Sequence, residues 1–123
     1  FWMPFAPVIL HEKQELLINN PKNLESPHMT IAFETIDGKK KFPAAVHQAD
    51  GTARPQILTK EVNPEIWELI NAFFIKTGVP SLLNTSFNLH GEPIVNNIQD
   101  ALHVFENSQL DALWLNNHII EKN

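Results

Sequence analysis

The sequence contains no cysteine, which excludes disulfides, thiolate metal sites and a cysteine nucleophile together. That absence agrees with a reducing cytoplasm, the expected location. Positive charge is scarce: the net charge is -5 and Arg54 is the sole arginine. A general nucleic-acid binder needs a basic face to displace counterions, so that class is not expected. A small anionic ligand, which needs only a few well-placed donors, stays open. No apolar run reaches the length of a membrane span, and no basic leader precedes an apolar stretch. Glycine is sparse, with four residues and no glycine-rich phosphate loop, and no serine sits in a nucleophile-elbow pattern. The six histidines (His11, His28, His47, His90, His103 and His118) are scattered without the helical spacing of a zinc site, so no metal ligands are expected.

Hydrophobic residues make up 43% of the 123 residues. That is enough apolar surface for one core and too short a chain for two independent ones, so residues 1–123 are expected to form a single domain. The chain opens on Phe1-Trp2-Met3-Pro4-Phe5, inside an aromatic, strand-like segment and without an initiator methionine. This reads as an N-terminally truncated fragment of a longer protein.

Phe5 to Leu10 reads as a short strand and Glu12 to Ile18 as a short helix stopped by Asn19-Asn20-Pro21. Thr30 to Ile36 alternates, with Ile31, Phe33 and Thr35 facing one way, before the turn signal Asp37-Gly38. Lys39, Lys40 and Lys41 read as a solvated edge, with an anion-binding patch as the lesser alternative. Ala44 to Gln48 and Gln56 to Thr59 are expected to be strands flanking the segment Ala49 to Arg54. The clearest helix starts after Asn63-Pro64, carries Ile66, Trp67, Leu69, Ile70, Phe73 and Phe74 on one stripe, and ends at Gly78. Ser81-Leu82-Leu83 reads as a buried strand, and Ile98 to about Asn107 as a helix capped by Asn97. Leu110 to Leu115 and His118 to Ile120 suggest a hairpin about Asn116-Asn117. The fold class implied is α/β or α+β, with a mixed sheet and two to three helices.

Two segments have the makings of a site. Arg54 offers a planar fork of donors that matches phosphate or carboxylate oxygens two at a time, and Asp50-Gly51-Thr52 before it forms a donor-rich turn. A surface arginine in an unimportant ion pair fits the same residues. His47 stands three residues before Asp50, within reach of a local hydrogen bond, although a solvated histidine is the commoner reading of such a residue. Asn84-Thr85-Ser86-Phe87-Asn88 supplies two amides and two hydroxyls at the end of a strand. Neutral donors there suit phosphate oxygens or a carbamoyl group, or simply cap a turn. From the residues alone, anion or amide binding is supported more firmly than any named reaction.

The string His47-Gln48-Ala49-Asp50-Gly51-Thr52-Ala53-Arg54-Pro55-Gln56 resembles the H-x-x-D-G-T-A-R-x-Q element of the O-carbamoyltransferase family. Its members decorate nodulation factors, cephalosporins and aminoglycosides. Leu83 to Asn88 followed by Gly91-Glu92-Pro93-Ile94-Val95 resembles the L-N-T-S-F-N…G-E-P-I-V element, and Pro4-Phe5-Ala6-Pro7 resembles the start of the C-terminal domain. Three elements in order span nearly the whole chain. The resemblance implies a YrdC-like fold, an open twisted mixed sheet with a concave ligand face, joined to an N-terminal Kae1-like domain that carries its own metal. It implies binding of carbamoyl phosphate and ATP, with Mg as the co-substrate ion, and formation of carbamoyl adenylate. The N-terminal domain would pass the carbamoyl group to an acceptor hydroxyl. Carried over by motif, Arg54, Ser86 and Asn88 contact carbamoyl phosphate or the adenylate, converging on one pocket. His47, Asp50, Thr52, Asn84 and Thr85 support them. Met3 stands where the family commonly has arginine, and the family's upstream basic stretch does not appear. A fragment without that stretch is expected to be inactive alone. A non-catalytic anion- or partner-binding domain of the same fold is the alternative reading, and RNA binding is disfavoured by the acidic balance.

Overall fold

The computed structural model describes residues 5–89 and 91–122. The Phe1–Pro4 part of the opening motif, Met3 included, and His90 lie outside the described residues. The chain divides into two compact units, Phe1–Thr85 and Ser86–Asn123. Both mix strands with helices, as the α/β reading expects, in its α+β form. The strands are distributed over three small sheets.

In the first unit, β1 (Ala6–Leu10) lies at the centre of a mixed sheet, parallel to β5 (Gln56–Leu58) and antiparallel to β6 (Ser81–Asn84). Its continuous apolar run is required because both faces are covered. Ile9 packs on one side with Leu17, Ile18, Phe33 and Val46, while Val8 and Leu10 pack on the other with Leu58 and Ile70. The second sheet orders β2 (Ile18–Asn19), β3 (Phe33–Thr35) and β4 (Thr52–Ala53), all antiparallel. The alternation read across Ile31, Phe33 and Thr35 holds, with Phe33 buried and Glu34 exposed.

The helix α2 (Pro64–Thr77) begins where expected. The Asn63 side-chain oxygen accepts from the Ile66 N–H at 3.2 Å, and Gly78 closes the helix at φ 79°. That left-handed turn carries almost no penalty without a Cβ. Only part of its apolar stripe reaches the core. Ile66, Trp67 and Ile70 pack against the sheet, while Leu69 and Phe73 stay exposed.

Several local expectations need correction. Ala44 to Gln48 is not a strand: Pro43–Ala45 forms a 3-10 turn, since Pro43 has no N–H for a ladder. The segment expected to be a helix over Glu12 to Ile18 is a 3-10 turn, His11–Leu16, that hands over to β2 at Ile18. Lys39, Lys40 and Lys41 belong to the short helix α1 (Gly38–Lys41), not to a strand edge. β6 is an edge strand whose Leu83 is 47% exposed, so it is only partly buried.

In the second unit, α3 (Ile98–Glu106) starts at Asn97, whose side chain accepts from the Asp100 N–H at 2.8 Å. Ala101 and Phe105 pack on Leu113 and Phe87. The antiparallel pair β7 (Ala112–Leu115) and β8 (His118–Glu121) turns about Asn116-Asn117 as read, with Asn116 in the left-handed region at φ 51°. Among the described residues, no helix is long and apolar enough to cross a membrane, and no cluster of three acidic or histidine side chains is placed to hold a metal.

Candidate functional site

Residues 47 to 56 form a braced turn followed by an extended arm. Gly51 adopts φ 72°, and its N–H donates to the His47 carbonyl at 2.9 Å, while the His47 N–H donates to the Thr52 carbonyl at 2.8 Å. Asp50 locks the turn from the side. Its Oδ1 accepts from the Thr52 N–H at 3.0 Å and from the Thr52 hydroxyl at 2.8 Å, and His47 Nδ1 lies 3.5 Å from the same oxygen. The two Thr52 bonds, with the His47 ring adding charge, hold the Asp50 carboxyl below its ordinary range.

Two side chains outside the motif complete the bracing. The Thr35 hydroxyl donates to the Gly51 carbonyl at 2.7 Å, tying the turn to β3. Buried Ser26 donates to the Pro55 carbonyl at 2.8 Å, and its own carbonyl accepts from Ile57 N–H at 2.8 Å. Sequence reading missed both. Thr35 was visible only as a strand residue, and nothing local marks Ser26, whose partners lie about thirty positions away.

Burial alternates along the arm. Ala53, Pro55 and Ile57 point into the core, while Thr52, Arg54 and Gln56 do not. Arg54 and Pro55 lie between β4 and β5, outside both strands. The guanidinium is exposed, with its backbone fixed by buried residues on both sides. The β1–β5 register pairs Val8 with Gln56 and the β1–β6 register pairs Ala6 with Asn84.

A groove of about 430 Å³ runs between this sheet and α2, with Val8, Leu82 and Ile66 in its walls and the amides of Gln56, Asn63 and Asn84 along it. Gln56 was read only as a strand residue; in the structure it is half-buried and lines this groove. Asn84 donates to Met29 Sδ at 3.6 Å, a weak contact that leaves the amide little committed.

His47, Asp50, Thr52, Arg54 and Asn84 all belong to the first unit, which ends at Thr85. Ser86 and Asn88 belong to the second unit. There the Asn88 amide donates to the Leu89 and Glu92 carbonyls at 3.0 Å each, and Val95 N–H donates to the Phe87 carbonyl. Asn88 thus shapes the Leu89–Glu92 loop. Its amide hydrogens are directed at backbone, and its side-chain oxygen is the group suited to a ligand donor.

Comparison with known proteins decides the family. Residues 1–122 match the family described as Carbamoyltransferase C-terminus. The chain belongs to that family. This carbamoyltransferase C-terminal domain is 43% identical over 122 residues to an uncharacterized protein of Methanocaldococcus jannaschii, covering 99% of the chain and 23% of that protein. It is 40% identical to the nodulation protein NolNO of Sinorhizobium fredii, covering 98% of the chain and 18% of the relative. It is 31% identical over 105 residues to the 3'-hydroxymethylcephem-O-carbamoyltransferase of Streptomyces clavuligerus, covering 85% and 19%. The domain thus spans about a fifth of the length of these curated relatives. The family supports a transferase module.

Proposed function

We propose that this domain is the adenylate-forming part of an O-carbamoyltransferase. It binds carbamoyl phosphate and ATP, with Mg as the co-substrate ion, and makes carbamoyl adenylate. An N-terminal Kae1-like domain of the same polypeptide, which carries its own metal, transfers the carbamoyl group to an acceptor hydroxyl. The stoichiometry takes up one water and releases orthophosphate and pyrophosphate.

The observation that carries the reading is the sole guanidinium of the chain, exposed on a turn whose backbone is fixed by Asp50, Thr35 and Ser26. Joining two anions needs little from a protein beyond holding them in line and offsetting their charge. Arg54 supplies charge and bidentate geometry. Ser86 and Asn88 supply neutral hydrogen bonds that orient the carbamoyl group, with Asn84 and Thr85 beside them in sequence. The groove edged by Gln56, Asn63 and Asn84 supports the nucleotide assignment, because apolar walls edged with amides suit a nucleobase.

The test uses the full polypeptide carrying this domain. Carbamoyl phosphate should elicit ATP–pyrophosphate exchange. Arg54→Lys should weaken carbamoyl phosphate binding by about tenfold or more in isothermal titration, since a point charge loses one of two charge-assisted bonds worth about 1.5–3 kcal/mol. Unchanged affinity in Arg54→Lys removes the assignment. Binding without exchange in the parent protein identifies a non-catalytic anion-binding domain instead.

A further inference from the structure

One edge of the β1 sheet is closed and the other is open. On β5 the outward Ile57 N–H donates to the Ser26 carbonyl at 2.8 Å, and the Ser26 hydroxyl donates to the Pro55 carbonyl at 2.8 Å. The Ser26 loop therefore covers that side. On the other side, β6 pairs with β1 alone among the described residues. Its bonding pattern follows from one bond just before the strand: the Leu10 N–H donates to the Pro80 carbonyl at 3.1 Å, which makes Leu10 and Pro80 a bonded pair. Antiparallel pairs alternate between bonded and non-bonded, so Val8–Leu82 and Ala6–Asn84 are bonded and Pro7–Leu83 is not. The Leu83 N–H and carbonyl thus point away from β1, and neither meets a partner among the described residues.

Side chains mark the same edge. A strand edge left in water is usually blunted by charge, proline or a bulge, and Ser81-Leu82-Leu83-Asn84 carries no charge and no proline. Leu83 is exposed, as are Leu69 and Phe73, which stand four residues apart on one face of α2. Leu69, Leu83 and Asn84 border the groove together. The covering segment has a source. The matched family is a C-terminus, and the domain spans about a fifth of its relatives, so most of each relative lies outside it. β1 begins beside the far end of β6, with Ala6 opposite Asn84. Polypeptide leading into β1 reaches the outer edge of β6 across two strand spacings, roughly 10 Å, the span of about three extended residues.

We propose that the open edge of β6 takes a fourth strand from the part of the same polypeptide that precedes this domain. The strand pairs with the Leu83 N–H and carbonyl and covers the Leu83 side chain. It also closes the side of the groove that Leu83 and Asn84 border, leaving Gln56, Val8 and Leu82 to line the space within. Backbone bonds supply the attachment, and the apolar side chains at the rim set its register. This pairing is independent of the reaction proposed above.

The experiment is amide hydrogen exchange on the full polypeptide, resolved to single residues by electron-transfer fragmentation. The Leu83 amide should exchange at least about tenfold more slowly than an unpaired, exposed amide, and a segment preceding this domain should be protected with it. Leu83→Pro deletes the outward donor without removing a bond to β1. In that variant the preceding segment should lose its protection, while the Leu82 and Asn84 amides stay within about threefold of the parent. A photo-cross-linking residue at position 83 should capture a peptide from the preceding part of the same chain. An unprotected Leu83 amide in the parent overturns the inference. So do cross-links confined to residues 1–123, and capture of a second copy alone. If Leu83→Pro does not fold, exchange in the parent and the cross-link decide the question between them.

Discussion

Gly38 occupies a position where adding one methyl group reaches both the core and the site. It is buried at the start of α1, and a Cβ there would stand 2.3 Å from Thr35 Oγ1, 2.6 Å from Thr35 Cβ and 2.8 Å from Val46 Cγ2. All three distances are well inside contact separation. None belongs to the far end of a flexible chain, because Thr35 is branched at Cβ and held in β3. Overpacking of this kind costs about 1–3 kcal/mol. Displacing the Thr35 hydroxyl also breaks its 2.7 Å bond to the Gly51 carbonyl, a further loss of about 1 kcal/mol. The intrinsic helix preference of alanine over glycine offsets about 1 kcal/mol at most. Gly38→Ala should therefore destabilise by about 1–3 kcal/mol, read as a lower urea midpoint with an unchanged slope. Because the lost bond ties down the Asp50–Thr52 turn, carbamoyl phosphate affinity should fall along with stability. In a Thr35→Gly background the same substitution should cost less, since the two nearest colliding atoms are gone and only Val46 Cγ2 remains. A Gly38→Ala protein as stable as its parent, with the same affinity, would refute the reasoning.

Ser26→Ala removes the buried donor to the Pro55 carbonyl and should cost about 1–2 kcal/mol in denaturant titration, with Arg54 affinity reduced through the loosened arm. Asn97→Ala deletes the cap on the Asp100 N–H and should cost about 1 kcal/mol, measured by hydrogen exchange in α3. The Asp50 carboxyl is lowered in the folded state, so its contribution is fully present above the unfolded value of about 3.9 and is lost as pH falls through the lower folded value. Asp50→Asn should abolish that part of the acid transition; an identical acid titration of stability in the two proteins would contradict it.

The amino-acid sequence alone determined the features that depend on near neighbours. Asn63-Pro64 and Gly78 bound α2 because capping and left-handed closure are local events, and Asn97 begins α3 for the same reason. The alternation of Ile31, Phe33 and Thr35 named the buried face of β3. His47, Asp50, Thr52 and Arg54 were legible as a turn with a donor fork, since all of its internal bonds span five residues or fewer. The tertiary structure decided what depends on distant partners. Long-range pairing sorted the described strands into three small sheets. Leu69 and Phe73 of the α2 stripe stayed exposed, while Ile66, Trp67 and Ile70 met the sheet. Ser26, Thr35 and Gln56 acquired their roles through strand register and long-range hydrogen bonds, which no local pattern encodes. Short-range chemistry fixes the turn and its charge, whereas the groove between the sheet and α2 exists only because β1 brings residues 48 to 78 positions apart onto neighbouring strands.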